Sequence, residues 1–366
     1  VKVVVYPADQ HGCGHHRLIW PVDELRRLGH DIILVTPRDR HLRMLVDDNT
    51  DTVVDVDLPD GADVVVLQRV THRYLAQVVS VIRAKGVAVV VDVDDDLSSV
   101  HPSNPAWRDL HPNRERFVKT AGGHPHSWHH LAQACRDATL VTATTPALAR
   151  RYAAHGRCVV LPNYLAEHYY GLPHVDSTTV GWPASLASHP DDPSAVGNAL
   201  ARLVDEGVSF WVASAAAGVA RAFGIADDER VGRLDAAVDL LDWPHAISQV
   251  GVGIAPLADT KFNQCKSWLK PLELAAVGVP WVASDRVEYR RLHKLGCGLL
   301  VDKPKHWYTV LRRLIDDESR RRELSEAGRA VAETLRLRDH AWRWWEAWDG
   351  ARALEREVQR STVVVG

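Results

Sequence analysis

The chain has no apolar run of membrane-span length, no C-x-x-C pair, no H-E-x-x-H spacing and no block of basic residues. Each absence removes a class of function. Without the long apolar run, a spanning helix is excluded. Five cysteines (Cys13, Cys135, Cys158, Cys265 and Cys297) are scattered and odd in number, so neither a disulfide framework nor a zinc site is indicated. That usage suits a reducing compartment, and with a first strand opening at Val1 a cytoplasmic location is expected. The 44 basic and 47 acidic side chains leave a formal charge of −3, which gives no electrostatic footprint for general nucleic-acid binding. Arginine groups such as Arg150-Arg151 and Arg320 to Arg322 read as solvated helix faces. The twenty histidines mostly stand singly in loops.

What is present is an alternation of short β-branched runs with helical patterns over 366 residues, long enough for two domains. Strands are expected at 1–6, 31–36, 63–67, 87–91, 139–142 and 158–161, with helices near 16–28, 74–84 and from Thr145-Pro146. Alternation of this kind implies a mostly parallel sheet covered on both faces, with ligands at the carboxyl ends of the strands. The first turn, PADQHGCGHHR, carries Gly12 and Gly14 but lacks the third glycine and the closing acid of a dinucleotide fingerprint. It reads as a glycine turn that admits a ligand to the backbone, with His15, His16 and Arg17 at its rim. The fourth strand run ends in DVDDDL, so Asp92, Asp94, Asp95 and Asp96 crowd the same edge. Like charges there raise a pKa or attract a cation; the plain alternative is a capping and solvated turn. Residues 101–130 read as a long ordered loop or lid.

A linker is expected from Ala166 to Ser177. A second αβ series follows, with strands at 179–182, 208–213, near 231–234, 250–254, 281–283 and 298–301. Helices are expected near 194–206, 215–223, 244–249, 305–315 and 319–335. His189, Asp191 and Asp192 stand at a helix entrance, where capping accounts for the carboxylates. A last helix, about 338–359, carries Trp342, Trp344, Trp345 and Trp348, which must pack on something, most simply across both domains.

The stretch Ala255 to Ser284 is the most informative. A strand leads into a helix expected from about Lys266 to Val277, on which Lys266, Lys270 and Glu273 form one polar stripe opposite Trp268, Leu269, Leu272, Ala275 and Ala276. Two lysines in the opening turns oppose the helix dipole and each other, a loss of roughly 0.3–1 kcal/mol each. A bound anion reverses that sign. Together with Ser267 and free backbone N–H groups, the lysines describe a seat for a pyrophosphate, and Glu273 an acceptor for ribose hydroxyls. Read plainly, the same stripe is a solvated face with a Lys270–Glu273 ion pair.

Taken together, these blocks resemble the GT-B glycosyltransferases, most closely the family 4-like branch of actinobacteria and their phages. The residues that carry the likeness are Gly12 to Arg17, Asp92 to Leu97, Gly181-Trp182-Pro183-x-Ser185 with His189 and Asp192, and the run from Pro256-Leu257 through Phe262-Asn263, Lys266-Ser267, Leu269-Lys270, Leu272-Glu273 and Gly278-x-Pro280. The resemblance implies an α/β GT-B fold with two Rossmann-like domains facing each other across a cleft. These are 1–170 on the acceptor side and 171–336 holding the nucleotide sugar, with a C-terminal helix, 337–366, packing back on the first. It implies transfer of a sugar from a UDP- or GDP-linked donor to a hydroxyl acceptor, with retention of configuration. The acceptor could be a virion protein, a hydroxymethylated DNA base, a saccharide or a small hydroxylated metabolite. The charge balance argues against nucleic acid. The alternatives are a nucleotide-sugar-binding protein without transfer activity and a nucleotide-sugar epimerase.

In the family's scheme Lys266, Ser267 and Lys270 neutralise the diphosphate and Glu273 takes the ribose. Phe262, Asn263, Gly14, Ser185 and His189 complete the donor side. No cofactor is required, and a divalent metal is not expected. One departure is Cys265, which stands where the family usually has a second glutamate near the donor sugar, so Asn263, Lys261 or backbone N–H groups would take over. Another is the aspartate cluster, which stands where such enzymes often place a histidine. Asp94 and Asp95, or His15, would act there as acceptor base or charge stabiliser.

Overall fold

Runs of β-branched residues form the middle of two parallel sheets. The computed structural model describes residues 1–36, 42–110, 127–213, 218–233 and 239–365. The chain divides into two units, one of Val1–Val100, Ala106–Asn163 and Leu337–Gly366, the other of His101–Pro105 and Tyr164–Arg336.

The first unit contains β1 (Lys2–Tyr6), β2 (Asp31–Leu34), β3 (Met44–Asp47), β4 (Thr52–Val56), β5 (Val64–Gln68), β6 (Ala88–Val93), β7 (Leu140–Ala143) and β8 (Cys158–Val160). Six of these form a parallel sheet in the order β2-β1-β5-β6-β7-β8. Val3 to Val5, Val64 to Val66 and Val89 to Val91 are fully buried. Such continuous burial, rather than alternation, marks central strands covered on both faces. Strands β3 and β4 make a separate antiparallel hairpin with an irregular register at Leu45/Val46, an element the sequence analysis lacks. Its signal was present in the alternation around the turn, where Val53 and Val56 are buried and Val54 and Asp55 are exposed.

The last helix, Trp342–Val365, packs within this unit. Trp344 and Trp348 are fully buried, the Trp344 indole donates to the Arg17 carbonyl at 2.8 Å, and Trp345 stacks on His30 with ring centroids 3.8 Å apart. Trp342 stays half in solvent, at 52% exposure.

The second unit repeats the plan with β9 (Val180–Trp182), β10 (Phe210–Val212), β11 (Val231–Arg233), β12 (Val252–Ala255), β13 (Trp281–Ser284) and β14 (Leu299–Val301), ordered β11-β10-β9-β12-β13-β14 and all parallel. Its core gathers Trp182, Phe210, Phe223, Trp307 and the strand valines. The strand order reverses between β1 and β5 in one unit and between β9 and β12 in the other, which are the positions where open α/β sheets bind ligands.

Three local expectations change. The helix expected over 194–206 is a 3₁₀ turn, Asp192–Val196, and a helix, Ala199–Asp205, because Gly197 between them sits at φ +60°. The segment read as a linker carries the turn Glu167–Tyr169, whose Tyr169 is fully buried in the second unit. The helix expected from about Lys266 to Val277 begins later, as described below. Residues 214–217 of the expected 215–223 helix, residue 234 of the expected strand and residues 111–126 of the expected lid lie outside the described residues. No helix among the described residues is long and apolar enough to cross a membrane.

Candidate functional site

The polar stripe of the second unit is built differently from a single long helix. Asn263–Cys265 is a 3₁₀ turn, Lys266 is extended at φ −65°, ψ 143°, and the helix runs from Leu269 to Ala276. The cause is Pro271. Proline lacks an N–H and its ring clashes with the carbonyl four residues before it, so it is tolerated only in a first turn. A start at Leu269 puts Pro271 there. Lys266 therefore precedes the helix, and only Lys270 lies in its opening turn. The expected repulsion between two lysines on consecutive turns of one helix does not arise in that form.

The two ammonium groups nevertheless act on one neighbour. Lys270 Nζ lies 2.7 Å from His189 Nε2, and Lys266 also bears electrostatically on His189 while its Nζ sits 4.3 Å from the centre of the Phe262 ring. Burial, and after it the Lys270 ammonium, pushes the His189 pKa down to about 3. The imidazole is thus neutral, accepts from Lys270 at Nε2 and carries its proton on Nδ1. That nitrogen approaches Asp192 Oδ2 at 2.9 Å, at an angle that makes it an electrostatic contact rather than an aligned hydrogen bond.

Asp192 is a hub, not a cap. No side-chain cap bond forms at its turn. Its Oδ1 instead accepts from Asn263 Nδ2 at 2.6 Å and from the Ala258 backbone at 3.1 Å, and the side chain is buried. Burial alone would raise its pKa, but the close approach of His189 and the charge of Lys270 hold it below the usual range. One chain of contacts therefore joins Asn263, Asp192, His189 and Lys270 at the carboxyl edge of β9 and β12. Ser185 shapes the turn leading there, since its carbonyl accepts from the backbones of Ser188 and His189. Ser267 Oγ accepts from the Leu269 backbone at the helix start, at 3.4 Å.

Glu273 differs from its expected place on a solvated stripe. It is only 6% exposed, and Tyr169 donates its hydroxyl to Oε1 at 2.6 Å. Burial raises its pKa to about 7 against the opposing pull of Tyr169, Lys270 and Trp243. Tyr169 itself is pushed well up by burial and by Glu273. Cys265 is buried, so that position presents no acid to a ligand.

No family model and no curated protein matches the chain. Solved structures do. TarM aligns with a TM-score of 0.55 at 11% identity over 83% of this chain, which spans 63% of TarM. Anabaena HepE, in complex with UDP and glucose, aligns with a TM-score of 0.59 at 13% identity over 99% of both chains. A sucrose-phosphate synthase from Thermosynechococcus elongatus aligns with a TM-score of 0.58 at 12% identity over 100% of both. The fold is GT-B. At these identities the likeness is one of architecture.

In the first unit of this GT-B chain the aspartates at the end of β6 are each held by an arginine. Arg17 spans both oxygens of Asp92, at 3.2 Å from Nε and 2.8 Å from Nη2, and donates through Nη1 to Leu161 and Asn163. Both partners are buried, so Arg17 is an internal strut and not part of a rim. Arg69 pairs with Asp94 at 2.5 Å and Asp95 at 3.3 Å, with Cys13 Sγ 2.9 Å from its Nη2. Arg151 reaches Asp96 at 2.7 Å. The expected rise in an aspartate pKa is not seen at Asp94: burial would raise it, but Arg69 holds it below the usual range. Among the described residues no group of three or more His, Cys, Asp or Glu side chains is arranged to hold a metal.

Gly14, expected to admit a ligand, admits the chain itself, since a Cβ there would lie 1.9 Å from the Asp9 carbonyl oxygen. His15 bonds through Nδ1 to the His11 carbonyl at 3.0 Å and tilts against Trp20. Sequence reasoning missed Arg69, Asp192 as a hub, and Tyr169. Arg69 had a signal, because Gln68-Arg69 ends an apolar strand at the sheet edge where ligands bind. Its backbone sits at φ +49°, a conformation that costs a non-glycine residue roughly 1–3 kcal/mol and gathers at functional sites.

Proposed function

We propose that the chain is a glycosyltransferase that moves a sugar from a UDP- or GDP-linked donor to a hydroxyl acceptor with retention of configuration. The observation that carries this reading is the Asn263–Asp192–His189–Lys270 chain, which holds a lysine at the first turn of a helix against a neutral imidazole. A neutral imidazole accepts the hydrogen bond, so the positive charge of Lys270 and the positive end of the helix add at one place. Such a place stabilises a leaving diphosphate, which is the main electrostatic demand of glycosyl transfer. Structures of the same fold in complex with UDP and with UDP-glucose support it.

In this reading Lys266, Ser267 and Lys270 take the diphosphate, with Phe262 holding the Lys266 ammonium over its ring. Glu273, held by the Tyr169 hydroxyl at 2.6 Å, takes the ribose hydroxyls. Asp94, Asp95 and His15 belong to the acceptor side. Isothermal titration with UDP and GDP tests the assignment. Lys266→Ala and Lys270→Ala are each expected to weaken binding roughly tenfold or more, as for loss of a charge-assisted contact. Equal affinity in wild type and both variants would refute it.

A further inference from the structure

One recess of the first unit has a lining poorly suited to a sugar or a base. It holds about 610 Å³ at the carboxyl ends of β1 and β5, beside the reversal of strand order. This volume lies within the roughly 300–1,000 Å³ of small-molecule sites, and the position is where such sheets bind ligands. Its walls are aliphatic, with Val35, Met44, Leu67, Leu75 and Leu97 among them, and Met44 comes from the β3–β4 hairpin. The polar side chains of the lining, Asp9, Thr71 and His72 among them, are outnumbered by apolar ones, and Gln68 is committed to the backbones of Ala8 and Cys13 and Arg69 to Asp94 and Asp95. A saccharide or nucleobase buried there would leave hydroxyls and amides without partners along most of its surface, which is costly. A ring compound with one hydroxyl would not.

We propose that this cavity is a binding site for a small, apolar, ring-bearing alcohol or phenol, with its hydroxyl at the Arg69–Asp9 side. Its use as the acceptor rests on the transferase reading above; its ligand class does not. The aliphatic body fills the space between the hairpin, Leu75 and the sheet edge, and the hydroxyl is the one group that needs a polar neighbour. Asp9, which lines the cavity with its Oδ2 3.7 Å from Arg69, supplies an acceptor for that hydroxyl.

Titration of the full chain with the fluorescent phenol 4-methylumbelliferone, with no nucleotide present, tests the site. Saturable binding is expected, with glucose failing to compete. Leu75→Glu, which puts a charge among aliphatic walls, and Ala8→Trp, which fills the mouth from an exposed position, are each expected to weaken it roughly tenfold or more. Lys266→Ala is expected to leave it unchanged. Thermal melts identify any variant that fails to fold, and because Ala8 is exposed its variant keeps the test open if Leu75→Glu unfolds. Absence of saturable binding, or binding untouched by a folded cavity variant, overturns the proposal. Titration of the same samples with UDP and GDP separates the two readings. Phenol binding with neither nucleotide bound refutes the transferase and upholds the cavity; nucleotide binding without phenol binding does the reverse.

Discussion

At the carboxyl edge of the first sheet each aspartate of the DVDDDL run faces an arginine, whereas at the second edge Lys270 faces an imidazole that carries no charge. The first arrangement closes its electrostatics internally. The second keeps a cation in a fixed position and transfers the compensating carboxylate, Asp192, one residue further back. Two clusters of similar composition thus do different work, and the difference lies in whether the partner of each charge is itself charged. Removing one member of a buried ion pair strands the other and costs stability, while removing a lysine held by a neutral acceptor costs mainly the ligand.

The sharpest way to break this contrast is Arg17→Ala, which leaves Asp92 buried without its bidentate partner. A loss of roughly 3–5 kcal/mol is expected in urea unfolding, against a change of about 1 kcal/mol or less for Lys270→Ala. Similar losses in the two variants would erase the distinction. A smaller effect is expected at Glu273. Its pKa of about 7 in the folded state is above the ordinary 4.5, so the folded protein holds a proton that the unfolded chain gives up. That contribution is complete below pH 4.5 and is lost as pH rises to about 7. Stability of wild type should therefore fall across this window, and Glu273→Gln should flatten the slope. The finest test is the imidazole itself. Lys270→Ala removes the second cause of the depressed His189 pKa, so NMR titration should show it rising from about 3, by roughly one to three pH units, while burial keeps it below the ordinary value. No movement would place the cause in burial alone.

The strands were legible because Val3 to Val5, Val64 to Val66 and Val89 to Val91 are continuous apolar runs bounded by turns, a local signal of central parallel strands. The grouping of the two lysines with Asn263 and His189 came from the GT-B resemblance and not from the local run. What escaped was long-range or subtractive. Asp192 joins Asn263 across 71 residues, and nothing in the local run distinguishes a buried hub from a helix cap. Pro271 was visible, but its effect is to move a helix start, so the Lys266–Lys270–Glu273 stripe dissolved into an extended residue, a first-turn residue and a buried one. Glu273 reads as a surface acid until Tyr169, a hundred residues earlier, is known to sit against it. The Arg69 backbone, at φ +49°, has no glycine or asparagine to announce it.

The tryptophan-bearing tail belongs to the same unit as β1, although the whole of the second unit is encoded before it. During synthesis the early sheet must therefore wait, with the surface destined for Trp344 and Trp348 bare, until more than half the polypeptide has left the ribosome. The later sheet has no such wait. A nascent chain stalled just short of residue 337 would carry a finished second body and an unfinished first one, and it is the first that chaperones would have to shield.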